Sequence, residues 1–374
     1  MEFPIKSISS RGRKIILPDF YPDATRGVIR SLSAQDLKDA CVNGVIVNTY
    51  HLLSQPGTEV IKNVGGIKNL MGFDGTVISD SGGFQLFSLI QKNKSLGKID
   101  RETGVTFNLH SKKGSQKYNI TPEKCIQIQF DLGTDIMIVL DYFTPYGASD
   151  REISQSVTWT TEWAARCKKE FEKQCQIRNF SEHNRPLLFG VVQGAHSFNE
   201  RERSAKELEN IGFDGYGLGG WTFDQDGKFD LSIIKQVAAV TPDSKPKYGL
   251  GVGDPQSLVD TLKAGFGICD CVLPTRDARH KRLYNFSKDP ESIKNIFEEP
   301  AKSWYEYMYV AREKYMSDTK PISEFCDCYA CCNHNSAYLN HLFKVEDSLA
   351  FRLATIHNLR FYSKVIELAR KALI

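Results

Sequence analysis

Asp270 sits in the run Gly267-Ile268-Cys269-Asp270-Cys271-Val272-Leu273-Pro274, a carboxylate set among apolar neighbours and stopped by a proline. Burying such a group is costly unless something pairs with it or it has chemistry to do. The plain alternative is an aspartate that only accepts backbone hydrogen bonds at a strand end. A second carboxylate, in Asp80-Ser81-Gly82-Gly83-Phe84-Gln85, follows a β-branched run. Its two glycines let backbone approach a ligand closely, and Phe84 offers a flat ring for a base or sugar. As a phosphate loop the segment lacks the lysine and the glycine spacing. Together Asp80 and Asp270 follow the two-carboxylate logic of glycosyl transfer, one attacking or shielding an anomeric carbon while the other handles protons at the leaving group. The alternative is that one of them merely balances a buried Arg or Lys.

Cys326-Asp327-Cys328-Tyr329-Ala330-Cys331 places three thiols within six residues. With a histidine they make a tetrahedral zinc set without an open position, hence a structural site. His334, His341 and His357 all qualify by type, and a buried or redox-active cysteine group is the competing reading. Thr275-Arg276-Asp277-Ala278-Arg279-His280-Lys281-Arg282 is the densest basic run. It is suited to backbone phosphates, although such runs are more often solvated surface.

The elements that must hold these residues recur as short β-rich runs followed by helix-like stretches. Strands are expected at Gly27–Arg30, Gly44–Val47, Thr76–Ser79, Asp135–Leu140, Leu187–Val192, Asp214–Leu218, Tyr248–Leu250 and Ile268–Leu273. Helices are expected over Ala34–Ala40, Pro122–Leu132, Ile153–Cys175, Glu200–Ile211, Leu231–Val240 and Pro255–Ala264. Eight strands alternating with helices predict a (β/α)8 TIM barrel, with a doubly wound sheet as runner-up. Asn48, Asp80, Asp141, Gln193, Gly219-Gly220, Leu250-Gly251 and Asp270 then end consecutive strands, and a barrel gathers those ends on one face. The polar stretch Leu89–Tyr118, with Lys92, Lys94, Lys98, Arg101, Lys112 and Lys113, reads as a loop and hairpin insertion. The expected division is a barrel over 1–286 carrying the site and a zinc-binding, mainly helical module over 287–374.

Length and composition admit this plan. The chain has 374 residues and a net charge of +3, so any nucleic-acid contact must come from local basic patches. The first residues, Met1-Glu2-Phe3-Pro4-Ile5-Lys6, carry no apolar core of a signal peptide, and no long uncharged apolar run follows. Secretion and membrane spanning are not expected. Six of the ten cysteines cluster around Asp270 and at 326–332, which points to a reducing, cytoplasmic setting and to metal binding or chemistry.

Asn48-Thr49-Tyr50-His51-Leu52, the Asp80–Gln85 motif, Cys269-Asp270-Cys271-Val272-Leu273-Pro274-Thr275-Arg276 and the cysteine cluster with His357 resemble, in order, the tRNA-guanine transglycosylases. The resemblance covers nearly the whole chain. It implies a barrel with a zinc-bearing C-terminal insertion, a homodimer, and exchange of guanine at the wobble position 34 of tRNA for a 7-deazaguanine, preQ1 or preQ0. Asp270 matches the family's nucleophile and Asp80 its general acid/base, with Ser81, Gly82, Gly83 and Phe84 beside the substrate. Asp141 and Gln193 match the base-reading side chains, and Gly220 a backbone donor to the base. Gly251-Val252-Gly253-Asp254-Pro255-Gln256-Ser257 and Thr275-Arg276-Asp277-Ala278-Arg279 match segments that hold the RNA. Cys326, Cys328, Cys331 and His357 match the zinc ligands. Phe143, Phe223, Trp221 and Gln225 depart from the bacterial pattern, as does the segment around Pro18–Asp23, which bears on the incoming base. The alternatives are a relative acting on DNA and a non-catalytic tRNA-binding partner subunit; retention of Asp80, Asp141 and Asp270 speaks against the latter.

Overall fold

A computed structural model describes residues 3–111, 114–223 and 226–373. Its centre is a ring of eight parallel strands: Asp19–Pro22, Gly44–Asn48, Thr76–Asp80, Ile136–Ile138, Leu187–Val192, Gly215–Leu218, Lys247–Gly249 and Ile268–Cys271, numbered one to eight below. Neighbours pair in chain order, and strand eight pairs with strand one. The seam between strands one and two is held by the Asp23–Ile46 bridge, by Ala24 N–H donating to Ile46 C=O at 2.7 Å, and by Asn48 N–H donating to Thr25 C=O at 3.2 Å. An in-order parallel ring is the (β/α)8 barrel and excludes the doubly wound sheet, whose order reverses at a switch point. The strands are nearly continuous apolar runs because side chains inside the ring and under the helices are both buried.

Strand one is not where β-propensity puts it. Val28 and Ile29 favour a strand, yet the chain pairs Asp19-Phe20-Tyr21-Pro22 with strand eight, Tyr21 beside Asp270. Pairing partners on both sides outweigh a weak local preference. Strand eight likewise ends at Cys271 rather than Leu273, since Leu273–Arg279 winds into a helix with Pro274 in its first turn.

Helices over Pro122–Leu132 and Leu231–Val240 have the expected bounds, Asp150–Ile177 and Phe198–Ile211 run longer than expected, and Ala34–Asp39 and Pro255–Lys263 stop one residue short. The long helix Asp150–Ile177 begins at a capping box in which Ser149 and Glu152 satisfy each other's backbone N–H groups. The Leu89–Tyr118 insertion contains the end of helix Gly83–Lys92 and a three-stranded antiparallel sheet, Gly97–Asp100, Gly104–Ser111 and Gly114–Ile120. Lys112 and Lys113 lie outside the described residues. After the barrel, Arg282–Phe286 pairs with Tyr305–Tyr309, and the terminal helix Ser348–Ala372 packs back on helix Leu273–Arg279, strand Arg282–Phe286 and strand one. None of the helices among the described residues is long and apolar enough to cross a membrane.

Candidate active site and metal site

Strand register brings the expected residues to one barrel end. Asp80 and Asn48 are partners at the ends of strands three and two. Asn48 Nδ2 donates to Asp80 Oδ2 at 2.8 Å, while Gly82 N–H and Thr49 N–H donate to Oδ1 at 2.9 and 3.3 Å. Gly82 is required for this: its φ of +72° is left-handed, and a Cβ there would fall 2.9 Å from Tyr50. Burial outweighs those hydrogen bonds and pushes the Asp80 carboxyl up to about 7. Asp270, on strand eight, accepts on Oδ1 from the Tyr248 hydroxyl at 2.7 Å and from Gly251 N–H at 3.0 Å. Burial pushes it up as well, to about 6. Both carboxyls are thus raised by burial towards neutral pH, the range in which a carboxyl can take up and give back a proton.

Asp141 follows strand four. Gln193 Nε2 donates to its Oδ2 at 2.7 Å and Ser81 Oγ to its Oδ1 at 3.4 Å, and burial raises it to about 6. Gln193 Oε1 is buried without a partner among the described residues, an unusual state for an amide oxygen and one a bound ligand would relieve. Gly219 and Gly220 end strand six; a Cβ on Gly219 would fall 2.6 Å from Gln193 Nε2, and Gly220 has a φ of +86°. The buried Arg201 guanidinium donates to the carbonyls of Val192, Ala195 and Gly219, tying this turn to the helix Phe198–Ile211.

Beside this end lies a group of rings. Phe84 meets Phe143 edge-on at 4.8 Å, and Trp221 lies 5.3 Å from Phe143 and 6.1 Å from both Phe84 and Tyr146. Phe143 is buried, whereas Phe84 and Trp221 are exposed. Phe223, paired with Phe229 at 6.2 Å, shares no ring contact with this group among the described residues. Gln225 lies outside the described residues.

The two expected RNA segments divide by burial. In the helix Leu273–Arg279, Thr275, Asp277 and Ala278 are packed inward, and Asp277 accepts from Arg282 at 2.6 and 2.9 Å and from the Tyr284 hydroxyl. Arg276 is exposed and Arg279 partly so. Burial and the neighbouring Arg30 lower the Arg279 guanidinium, so three arginines, counting Arg276, gather at this corner. In 251–257, Gly251 carries the N–H on Asp270, and a Cβ on Gly253 would fall 2.1 Å from Cys271. Val252 is buried, and Asp254 caps the helix that Pro255 opens, bonding Gln256 N–H and Ser257 N–H at 3.2 and 3.3 Å.

Cys326, Cys328, Cys331 and His357 place one donor atom each within 4.8 Å of one another. Four-coordinate zinc with Zn–S near 2.3 Å asks for sulfurs about 3.8 Å apart, so the set fits such an ion. His357 Nε2 lies 2.9 Å from Tyr284 C=O and 3.0 Å from Asn285 Oδ1, both acceptors, which fixes the proton there. Nδ1 is left to face Cys331 Sγ at 3.3 Å and Cys328 Sγ at 3.9 Å. His357 is thus the histidine the cysteines meet, not His334 or His341.

Sequence reasoning overlooked three residues here. Tyr248 was read only as strand, although a hydroxyl in a buried strand is a signal for a polar partner. Asn285 lies far from the cysteines in sequence and had none. Asp23 entered only as the end of the unusual Pro18–Asp23 segment, without a role of its own, because strand one was placed four residues beyond it.

The fold and this arrangement define a (β/α)8 barrel with two buried carboxylates at one end and a separate Cys3His group that could hold a metal ion. The chain belongs to the queuine tRNA-ribosyltransferase family, whose model matches residues 5–374. It is similar to the queuine tRNA-ribosyltransferase of Solidesulfovibrio magneticus, 38% identical over 360 residues, which are 96% of this chain and 88% of that one. The enzyme of the same name from Idiomarina loihiensis is 36% identical over 382 residues, 100% of this chain and 93% of its own. That of Thermodesulfovibrio yellowstonii is 37% identical over 356 residues, 95% and 84%.

Proposed function

We propose that the protein exchanges guanine at the wobble position of tRNA for a 7-deazaguanine, through a ribosyl group carried on Asp270. The observation that supports this best is the pair of buried, hydrogen-bonded carboxylates, Asp80 and Asp270, at the same barrel end. Asp270 attacks C1′ of the nucleotide, the bond to N9 breaks, and guanine departs with the proton that Asp80 supplies. The incoming base gives its N9 proton to Asp80 and attacks C1′, which frees Asp270. Asp141 accepts from the N–H edge of the base, while the second hydrogen of the Gln193 amide and Gly220 N–H bond its carbonyl oxygen. Phe84 stacks on the ring. Splaying the base out costs least in a single-stranded loop.

Arg276 and Arg279 hold phosphates beside the site, with the Gly251–Ser257 turn flanking it. The metal is zinc, one per chain, because three thiolates and an imidazole are its preferred ligands; bound, it crosslinks 326–331 to the terminal helix. The proposed division is a barrel, 1–286, and a module that closes it, 287–374, with strand Arg282–Phe286 reaching across to pair with Tyr305–Tyr309. It works as a cytoplasmic homodimer.

The ring group around Phe143 bears on the choice of base. Queuine carries a bulky cyclopentenediol, and forcing it against packed rings costs about 1–3 kcal/mol. Guanine, preQ1 and preQ0 remain as substrates, with preQ1 the default. The deciding experiment measures uptake of labelled guanine into tRNA and into duplex DNA, then competes each deazaguanine against it. Uptake into tRNA alone, blocked by preQ1 and poorly by queuine, is expected. Uptake into DNA alone would transfer the reading to a DNA-modifying relative, and efficient queuine use would remove Phe143 from the pocket.

A further inference from the structure

We propose that Asp23 reads the sugar of the substrate: its carboxylate accepts a hydrogen bond from the 2′-hydroxyl beside the carbon that Asp270 attacks, which ties the transfer to RNA. This rests on the transglycosylase reading above and deepens it. Register is the first support. Strand one lies between strands eight and two, with Tyr21 the partner of Asp270 and Asp23 bridged to Ile46. Side chains alternate along a strand, and register partners on adjacent strands share a face. Asp23 therefore lies on the face of Asp270 on one side. On the other, through Ile46 and then Asn48, it lies on the face of Asp80, the partner of Asn48.

The carboxylate is also held ready. Its Oδ1 accepts from Thr25 N–H at 2.6 Å and from the Thr25 hydroxyl, which fixes its plane. Its Oδ2 bonds to none of the described residues, and the side chain is only partly buried. Burial raises both Asp80 and Asp270, and the charge of Asp23 raises each further. A third carboxylate thus faces the reaction centre although it opposes ionisation of the other two.

An ionised carboxylate only accepts hydrogen bonds, so phosphates and base carbonyls are excluded as partners. The 2′-hydroxyl sits on the carbon bonded to C1′ and is the donor nearest the bond being broken. Deoxyribose has none. A site built to bond a hydroxyl rejects the analogue without it, because the acceptor is left unpaired.

The test compares guanine exchange on a tRNA and on the same tRNA bearing one 2′-deoxyguanosine at the exchanged position, with the native chain, Asp23→Ala and Asp23→Asn. The native chain should lose about tenfold or more in kcat/KM on the deoxy substrate. In Asp23→Ala the gap should close to about twofold, through loss on the ribose substrate. Asp23→Asn keeps an oxygen for Thr25 and should narrow the gap too, which guards against misfolding of the alanine variant. A gap of native size in both variants overturns the proposal, as does an equal fall on both substrates, the mark of a structural role. No exchange by the native chain on the ribose substrate overturns the transglycosylase reading and this one with it.

Discussion

Asp270 accepts both of its hydrogen bonds on Oδ1, so an asparagine can keep Tyr248 and Gly251 in place while removing the negative charge. Asp270→Asn should therefore abolish exchange without unfolding the chain, since an amide is no nucleophile here. Denaturing gels with tRNA and an inert base analogue should show a covalent adduct for the native chain and none for the variant; exchange near the native rate would take Asp270 out of the attacking role. The same variant carries a stability prediction. The folded carboxyl is raised from 3.8 to about 6, so between those values the native state holds a proton that the unfolded state has lost. That contribution is complete below about pH 4 and is lost as pH rises through about 6. Asp270→Asn should unfold nearly like the native chain at pH 4 and be more stable at pH 8, by roughly 2–3 kcal/mol. Thermal scans at the two pH values would show it. The site is costly to the fold, as expected of buried groups kept for chemistry.

At the scale of elements, the helix Leu273–Arg279 performs two tasks divided by its faces. One face holds Asp277 against Arg282 and Tyr284, and the other presents Arg276. Arg276→Ala should weaken tRNA binding and lower the slope of affinity against salt by about 1, as for one lost phosphate contact. Binding isotherms over a salt series decide it, and an unchanged slope would make this residue solvated surface. Helix Ser348–Ala372 is pinned from the other side, with His357 between the thiols and Asn285. Cys328→Ser should lower metal content below one ion per chain and destabilise the module, because ligation free energy is folding free energy. Metal analysis of the purified variant, together with its unfolding curve, provides the check. A metal-free native chain of full stability would refute the zinc site.

For the whole molecule, the balanced net charge makes the arginine corner at Arg30, Arg276 and Arg279 the attraction proposed here for RNA. The proposed homodimer predicts sedimentation at twice the chain mass, independent of tRNA. A monomer at micromolar concentration would contradict it.

Much of this was legible in the chain itself. Short apolar strands alternating with amphipathic helices dictate a parallel sheet covered on both faces, and eight such strands favour a barrel over the doubly wound sheet that would bury them as well. The polar residues at the ends of strands two to eight could be read straight off that alternation. So could a thiol triplet too dense for chance. Only tertiary structure decided three things. Strand one is set by pairing with strand eight, which Asp19-Phe20-Tyr21-Pro22 does not announce by propensity. Which ring nitrogen of His357 faces the cysteines is set by the partners of the other one, Tyr284 and Asn285, more than seventy residues earlier. The acidities of Asp80 and Asp270 are set by burial and by backbone N–H groups brought in from other strands and turns. Local pattern records which residues a chain offers. Depth, partners and field arise only when distant strands close the ring, and these decide which offered residue can attack, donate or bind.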